Sequence, residues 1–116
     1  MSKRGVIAAA FDIFTVVLFV AIGRRNHDEA EALPGVLRVA APFLIGLGCG
    51  WVVARAWKAP TAIRTGLIVW PVTVLAGMLL RHFAFDNGTA LSFIIVATTF
   101  LGVVLVGWRA LYTFCR

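Results

Sequence analysis

Charge is what this chain has least of. Aspartate, glutamate, lysine and arginine make up 14% of the 116 residues, and only five of those residues are acids. A soluble domain carries about 25% charged residues, so an ordinary water-facing surface is excluded. Cysteine is nearly missing too, with Cys49 and Cys115 its two representatives. Neither belongs to a CxxC pair or a metal-ligand spacing, which excludes a disulfide framework and a thiolate metal site. Cys49 reads as a buried small hydrophobe at mid-membrane, and Cys115 as an incidental thiol near the carboxyl end. There is no Ser/His/Asp or Cys/His arrangement and no glycine-rich phosphate loop, so no catalytic residue and no cofactor is assigned. The net charge of +6 lacks the interleaved aromatic and basic residues of a nucleic-acid surface.

What fills the chain instead is apolar. Hydrophobic residues reach 61% and the mean hydropathy is +0.96, values that belong in a bilayer. Four segments, about 5–23, 36–57, 62–80 and 91–108, each approach the ~20 residues needed to cross a ~30 Å hydrocarbon core. They leave almost nothing for a soluble domain, and 1–116 reads as one integral membrane domain. The first segment resembles a signal peptide, because Lys3 and Arg4 precede it. Its length and the charge of Asp12 argue for a retained helix.

Basic residues set the expected orientation. Lys3, Arg4, Arg55, Lys58, Arg64, Arg109 and Arg116 fall on one side of the four spans. Arg24, Arg25, Arg38 and Arg81 fall on the other, with Asp28, Glu29, Glu31 and Asp86. The positive-inside rule then predicts cytoplasmic termini in a prokaryotic inner membrane.

The second segment is built for close contact. Pro42, Gly46, Gly50 and Ala54 recur every four residues and so share one helical face, where small side chains let a neighbouring backbone approach. Gly66, Trp70, Thr73 and Gly77 form the corresponding face of the third segment, with Pro71 expected to kink it. Ser92, Thr99, Gly102, Val106 and Arg109 mark the inner face of the fourth. Gly5, Ala8, Asp12, Thr15, Phe19 and Gly23 make the inner stripe of the first. The second is expected to start after Pro34-Gly35 and to stop at Pro60.

Asp12 is the ionisable group set deep in a span, roughly 10 Å from the nearer edge at 1.5 Å per residue. An acid at that depth needs a partner. Helical side chains lean toward their own amino ends, which aims Asp12 and both Arg55 and Arg109 at one layer. Trp51 and Trp70 are placed to wall that layer, stacking on a guanidinium or donating an N–H to the carboxylate. Three readings stay open. Asp12 pairs structurally with Arg55 or Arg109, or it forms a proton or substrate site, or both arginines extend to the interface and Thr15 or water satisfies it. On the opposite side His27, Asp28 and Glu31, with His82 and Asp86, form a sparse polar cluster that reads as solvated loop rather than a metal site.

Asp12, Gly23-Arg24-Arg25-Asn26-His27, Pro42-Phe43, Gly46, Gly50-Trp51, Thr65-Gly66, Trp70, Gly77, Leu80-Arg81 and Gly107-Trp108-Arg109 follow one another in a familiar order. Together they resemble a family of small prokaryotic four-span membrane proteins, domain of unknown function 3054. The resemblance covers nearly the whole chain and implies a multi-pass membrane protein, with no activity attached.

The expected fold is an all-α, up-down four-helix transmembrane bundle. Two functions fit it: a small transporter or channel-like protein, dimeric or larger because four short helices enclose little space, or a structural or accessory subunit held by its ion pair. Lipid is the expected partner in either case, with a second copy of the chain, and any small-molecule or ion ligand is left unnamed.

Overall fold

The structure is a computed structural model. It describes the backbone of residues 2–24, 32–84 and 91–115, and the side chains of these apart from 23, 24 and 32–36. The described chain forms four long helices, α1 (Lys3–Arg24), α2 (Ala32–Ala54), α3 (Ile63–Phe83) and α4 (Leu91–Cys115), with a short 3-10 turn at Ala56–Lys58. All four are long and apolar enough to cross a membrane. In hydrocarbon a helix satisfies its own amides and carbonyls, so apolar runs of this length have one regular solution. The longest dimension, 41 Å, matches a bilayer with its headgroups, about 40–45 Å. The protein is a multi-pass membrane protein.

Side-chain contacts give the topology. Asp12 and Phe19 of α1 meet Trp51 and Phe43 of α2, in that order, so the two helices are antiparallel. Gly46 and Gly50 of α2 face Thr73 and Val69 of α3, again reversed. Gly66 and Trp70 of α3 lie against Leu105 and Gly102 of α4, which makes the bundle up-down throughout. Apolar side chains including Phe14, Val52, Leu75 and Val103 point outward, as lipid requires.

Local chemistry explains the helix ends. The Gly5 amide donates to Ser2 Oγ at 3.1 Å, an N-cap for α1. α2 begins at Ala32 rather than after Pro34-Gly35, because a proline in the first turn lacks only an amide that has no intrahelical acceptor. It stops at Ala54, before the expected Trp57, because Arg55 turns left-handed at φ 51°, ψ 51°. That is the conformation in which glycine normally ends a helix. Thr65 Oγ1 then donates to the Ala59 carbonyl at 2.6 Å and ties the connection to α3. α3 continues through Pro71, whose side chain faces outward. α4 extends beyond Trp108 to Cys115, since residues 109–115 contain no helix breaker.

α2 and α3 pack most extensively, and the four-residue spacing on α2 is the reason. A Cβ on Gly46 would stand 2.8 Å from the Thr73 carbonyl oxygen and 2.9 Å from the Gly77 nitrogen. One on Gly50 would stand 3.0 Å from the Val69 carbonyl oxygen. Backbone meets backbone at both, so a side chain at Gly46 would force the helices apart and one at Gly50 would press on the facing backbone. Pro42 is buried and Ala54 half-buried on the same face, while Gly48 faces open space. Gly77 receives the Phe43 ring and Gly102 the Trp70 indole.

Two expectations about faces need correction. Ser92 and Thr99 are exposed, and the buried face of α4 is Ala97, Leu101, Leu105 and Arg109, with Gly102 beside it. Apolar bulk, not hydroxyl content, chose the side that packs. Cys49 is exposed rather than buried, like Cys115, because it falls one position off the Gly46–Gly50 face.

Candidate functional site

Asp12 and Arg109 are both fully buried, each with 0% exposure. Each is the inner residue of its helix at one common depth. On α1, Ala8, Asp12 and Thr15 follow the four- and three-residue spacing of the buried stripe. On α4, Arg109 continues the Leu101–Leu105 row by one turn. Antiparallel packing brings the two rows together.

The pair is bidentate. Arg109 Nη1 donates to Asp12 Oδ1 at 3.0 Å, and Nη2 donates to Oδ2 at 2.7 Å. Two indoles complete the carboxylate. Trp51 Nε1 donates to Oδ2 at 2.8 Å and Trp108 Nε1 to Oδ1 at 2.9 Å. Each oxygen therefore accepts two hydrogen bonds, and charge-assisted bonds of this geometry are roughly twice as strong as neutral ones.

The guanidinium is equally engaged. Its Nε donates to the Pro60 carbonyl at 2.9 Å, and Nη1 donates to the Leu105 carbonyl one turn back at 3.0 Å. The Trp108 ring lies 4.5 Å from the guanidinium carbon, and Phe11 stacks on that indole at 5.1 Å. Gly66 of α3 presses on the stem, where an added Cβ would be 3.0 Å from Arg109 Cδ. One side-chain cluster thus joins α1, α2, α4 and the connection leading to α3. A buried ion pair is stabilising only when such further hydrogen bonds offset its desolvation.

Of the two arginines aimed at this layer, Arg109 reaches Asp12. Arg55 does not, since its left-handed backbone ends α2 and leaves the side chain exposed. Trp70 stands elsewhere, with Nε1 donating to the Thr98 carbonyl at 2.8 Å. Thr15 Oγ1 donates to the Phe11 carbonyl at 2.7 Å and leaves Asp12 to other donors. Trp108 was missed by sequence reasoning. Its neighbour Arg109 marks the depth, but successive residues lie about 100° apart around a helix, so only the reach of the indole brings both to Asp12.

The far half of the bundle is aromatic. Phe19 lies 6.2 Å from Phe43, 5.9 Å from Phe93 and 5.5 Å from Phe100, ring centre to ring centre. The Arg81 guanidinium lies 4.3 Å over the Phe93 ring. His82 is exposed and edge-on to Phe83. His27, Asp28, Glu31 and Asp86 lie outside the described residues.

No curated protein and no solved structure matches the chain. One family model does, over residues 9–112, a range that includes Asp12, Trp51, Trp108 and Arg109. The chain accordingly belongs to the family described as protein of unknown function (DUF3054).

Proposed function

We propose that this chain is a structural or accessory membrane subunit whose polar interior is a permanent lock rather than a conduction or proton site. The observation that carries the reading is the fully buried Asp12 carboxylate, which accepts four hydrogen bonds from Trp51, Trp108 and Arg109. A transport carboxylate has to exchange partners between states. Here every exchange would break a charge-assisted bond and leave an arginine buried beside it. The apolar groove between α1 and α2, walled by Ile13, Leu44, Leu47 and Trp51, does not include Asp12 in its lining. An accessory subunit acts through its outer surface, on a partner protein or a second copy. Lys3, Arg4, Arg55, Lys58 and Arg64, at the end of the bundle where α1 begins and α2 stops, support a cytoplasmic placement of that end.

Proteoliposomes loaded with a pH-sensitive dye, beside unfolding of the same protein in detergent, separate the two functions. We expect wild-type and Asp12→Asn vesicles to leak protons at the protein-free rate, while Asp12→Asn unfolds more easily. Proton flux carried by the wild type and abolished in a folded Asp12→Asn variant would overturn the reading in favour of an oligomeric transporter.

A further inference from the structure

At the end of the bundle where α2 passes into α3, a cavity of about 260 Å³ opens to the surface. Arg55, Lys58 and Arg64 line it together, with Thr65 and Ile68. Three cations around one small cavity repel one another unless an anion joins them. Among the described residues the one carboxylate is Asp12, and Arg109 already holds it.

Two further observations concern the same place. Arg55 adopts a left-handed backbone conformation that glycine takes without strain. Arginine keeps a charged side chain at the cavity where glycine would end the helix more easily, and strain of this kind gathers at functional positions. α3 also starts at the cavity without a side-chain cap and without an acid in its first turn; the Thr65 amide donates to the Ala62 carbonyl at 3.1 Å, and the positive end of the helix dipole adds to the side-chain charges there. The carboxyl end of α2 offsets part of that dipole, and the three side-chain charges remain.

The surroundings specify the rest of the ligand. Ile68 on the cavity wall is 40% exposed, and Val53, beside Ala54 of the lining, is 62% exposed. Trp57, in the 3-10 turn, is exposed as interfacial tryptophans are. A cationic cup therefore opens at headgroup depth onto an apolar flank. We propose that this cavity binds the phosphate of an anionic phospholipid headgroup, held by Arg55, Lys58 and Arg64, with the acyl chains running along Val53 and Ile68. Basic pockets between membrane helices recognise anionic headgroups by this chemistry. The phosphate of a soluble ester would satisfy the same cations but not the apolar flank.

Native mass spectrometry of the full chain in detergent tests this, with phosphatidylglycerol, phosphatidylcholine and inorganic phosphate as probes. We expect phosphatidylglycerol to be retained about tenfold more strongly than phosphatidylcholine and not to be displaced by inorganic phosphate. R55Q/R64Q should lose about tenfold of that retention. K3Q/R4Q, which removes the same charge from the same end of the bundle, should keep it. Lys58→Gln, outside the long helices, should give a partial loss with an unchanged melting temperature. Equal loss in both double variants reduces the effect to net charge and overturns the site. Binding of inorganic phosphate without preference between the lipids overturns the lipid source and assigns the cavity to a soluble phosphate ester.

Discussion

Two sets of basic side chains occupy the same end of this bundle and meet opposite fates. Arg109 is fully buried and paired, and its guanidinium also holds two backbone carbonyls. Arg55, Lys58 and Arg64 are exposed and share a cavity with no carboxylate among the described residues. The difference is one of position, not residue type. Arg109 continues the buried row of α4 and is roofed by Gly66, so its charge had to be neutralised inside. The other three follow a helix end or begin the next helix, where water, headgroups or an anion reach them. The buried set organises the fold, and the exposed set is left to bind.

The largest effect should come from taking the partner away from the buried charge. Asp12→Asn leaves Arg109 desolvated and uncompensated, which we expect to cost about 3–5 kcal/mol in unfolding in detergent. Adding Arg109→Gln should make the double variant more stable than the sum of the two losses, by about 1 kcal/mol or more. Simple additivity would mean that the pair does not act as a unit.

Gly66→Ala comes next. The new methyl would meet a guanidinium stem pinned at its far end and the Leu105 carbonyl at 3.2 Å, so we expect about 1–3 kcal/mol of destabilisation. Gly107→Ala, at a position facing open space, is the control and should be close to neutral. A chemical melt comparing the two variants measures the contrast.

Trp108→Phe keeps a ring on Phe11 and on the guanidinium while removing one donor to Asp12 Oδ1. A loss of about 1.5–3 kcal/mol is expected for a bond to a charged acceptor. Trp70→Phe, whose indole donates to a neutral carbonyl, should lose less, about 0.5–1.5 kcal/mol. Equal losses would contradict the charge-assisted character of the Asp12 cluster.

The smallest effect has the opposite sign. Arg55→Gly relieves a left-handed backbone and should raise stability by about 1 kcal/mol. The same variant should retain less phosphatidylglycerol. A gain in stability without that loss would separate the helix end from the cation cavity and weaken the contrast between the two sets.

How far the site could be read in advance depended on the kind of signal. Asp12 stood out because an acid within an apolar run is expensive, and that expense is visible without coordinates. Gly46 and Gly50 stood out because their spacing repeats with the helix. Trp108 did not, since its part in the site depends on how far an indole reaches around α4 to donate to Asp12. Ser92 and Thr99 misled for the opposite reason, because polarity in a membrane helix is a weak guide to its inner face when hydroxyls can bond to their own backbone.

Length, hydropathy and the rarity of charge determined by themselves that this chain is a four-span membrane bundle. Backbone satisfaction in lipid leaves apolar runs of this length no alternative to helix. The four-residue glycine repeat on α2 likewise determined that a backbone would approach there. The choice between Arg55 and Arg109 was made only by the tertiary structure. Both have the charge, the depth and the direction, but α2 ends at Arg55 in a left-handed turn while α4 continues through Arg109. A helix that ends releases its side chain to the surface, and a helix that continues carries its side chain into the core.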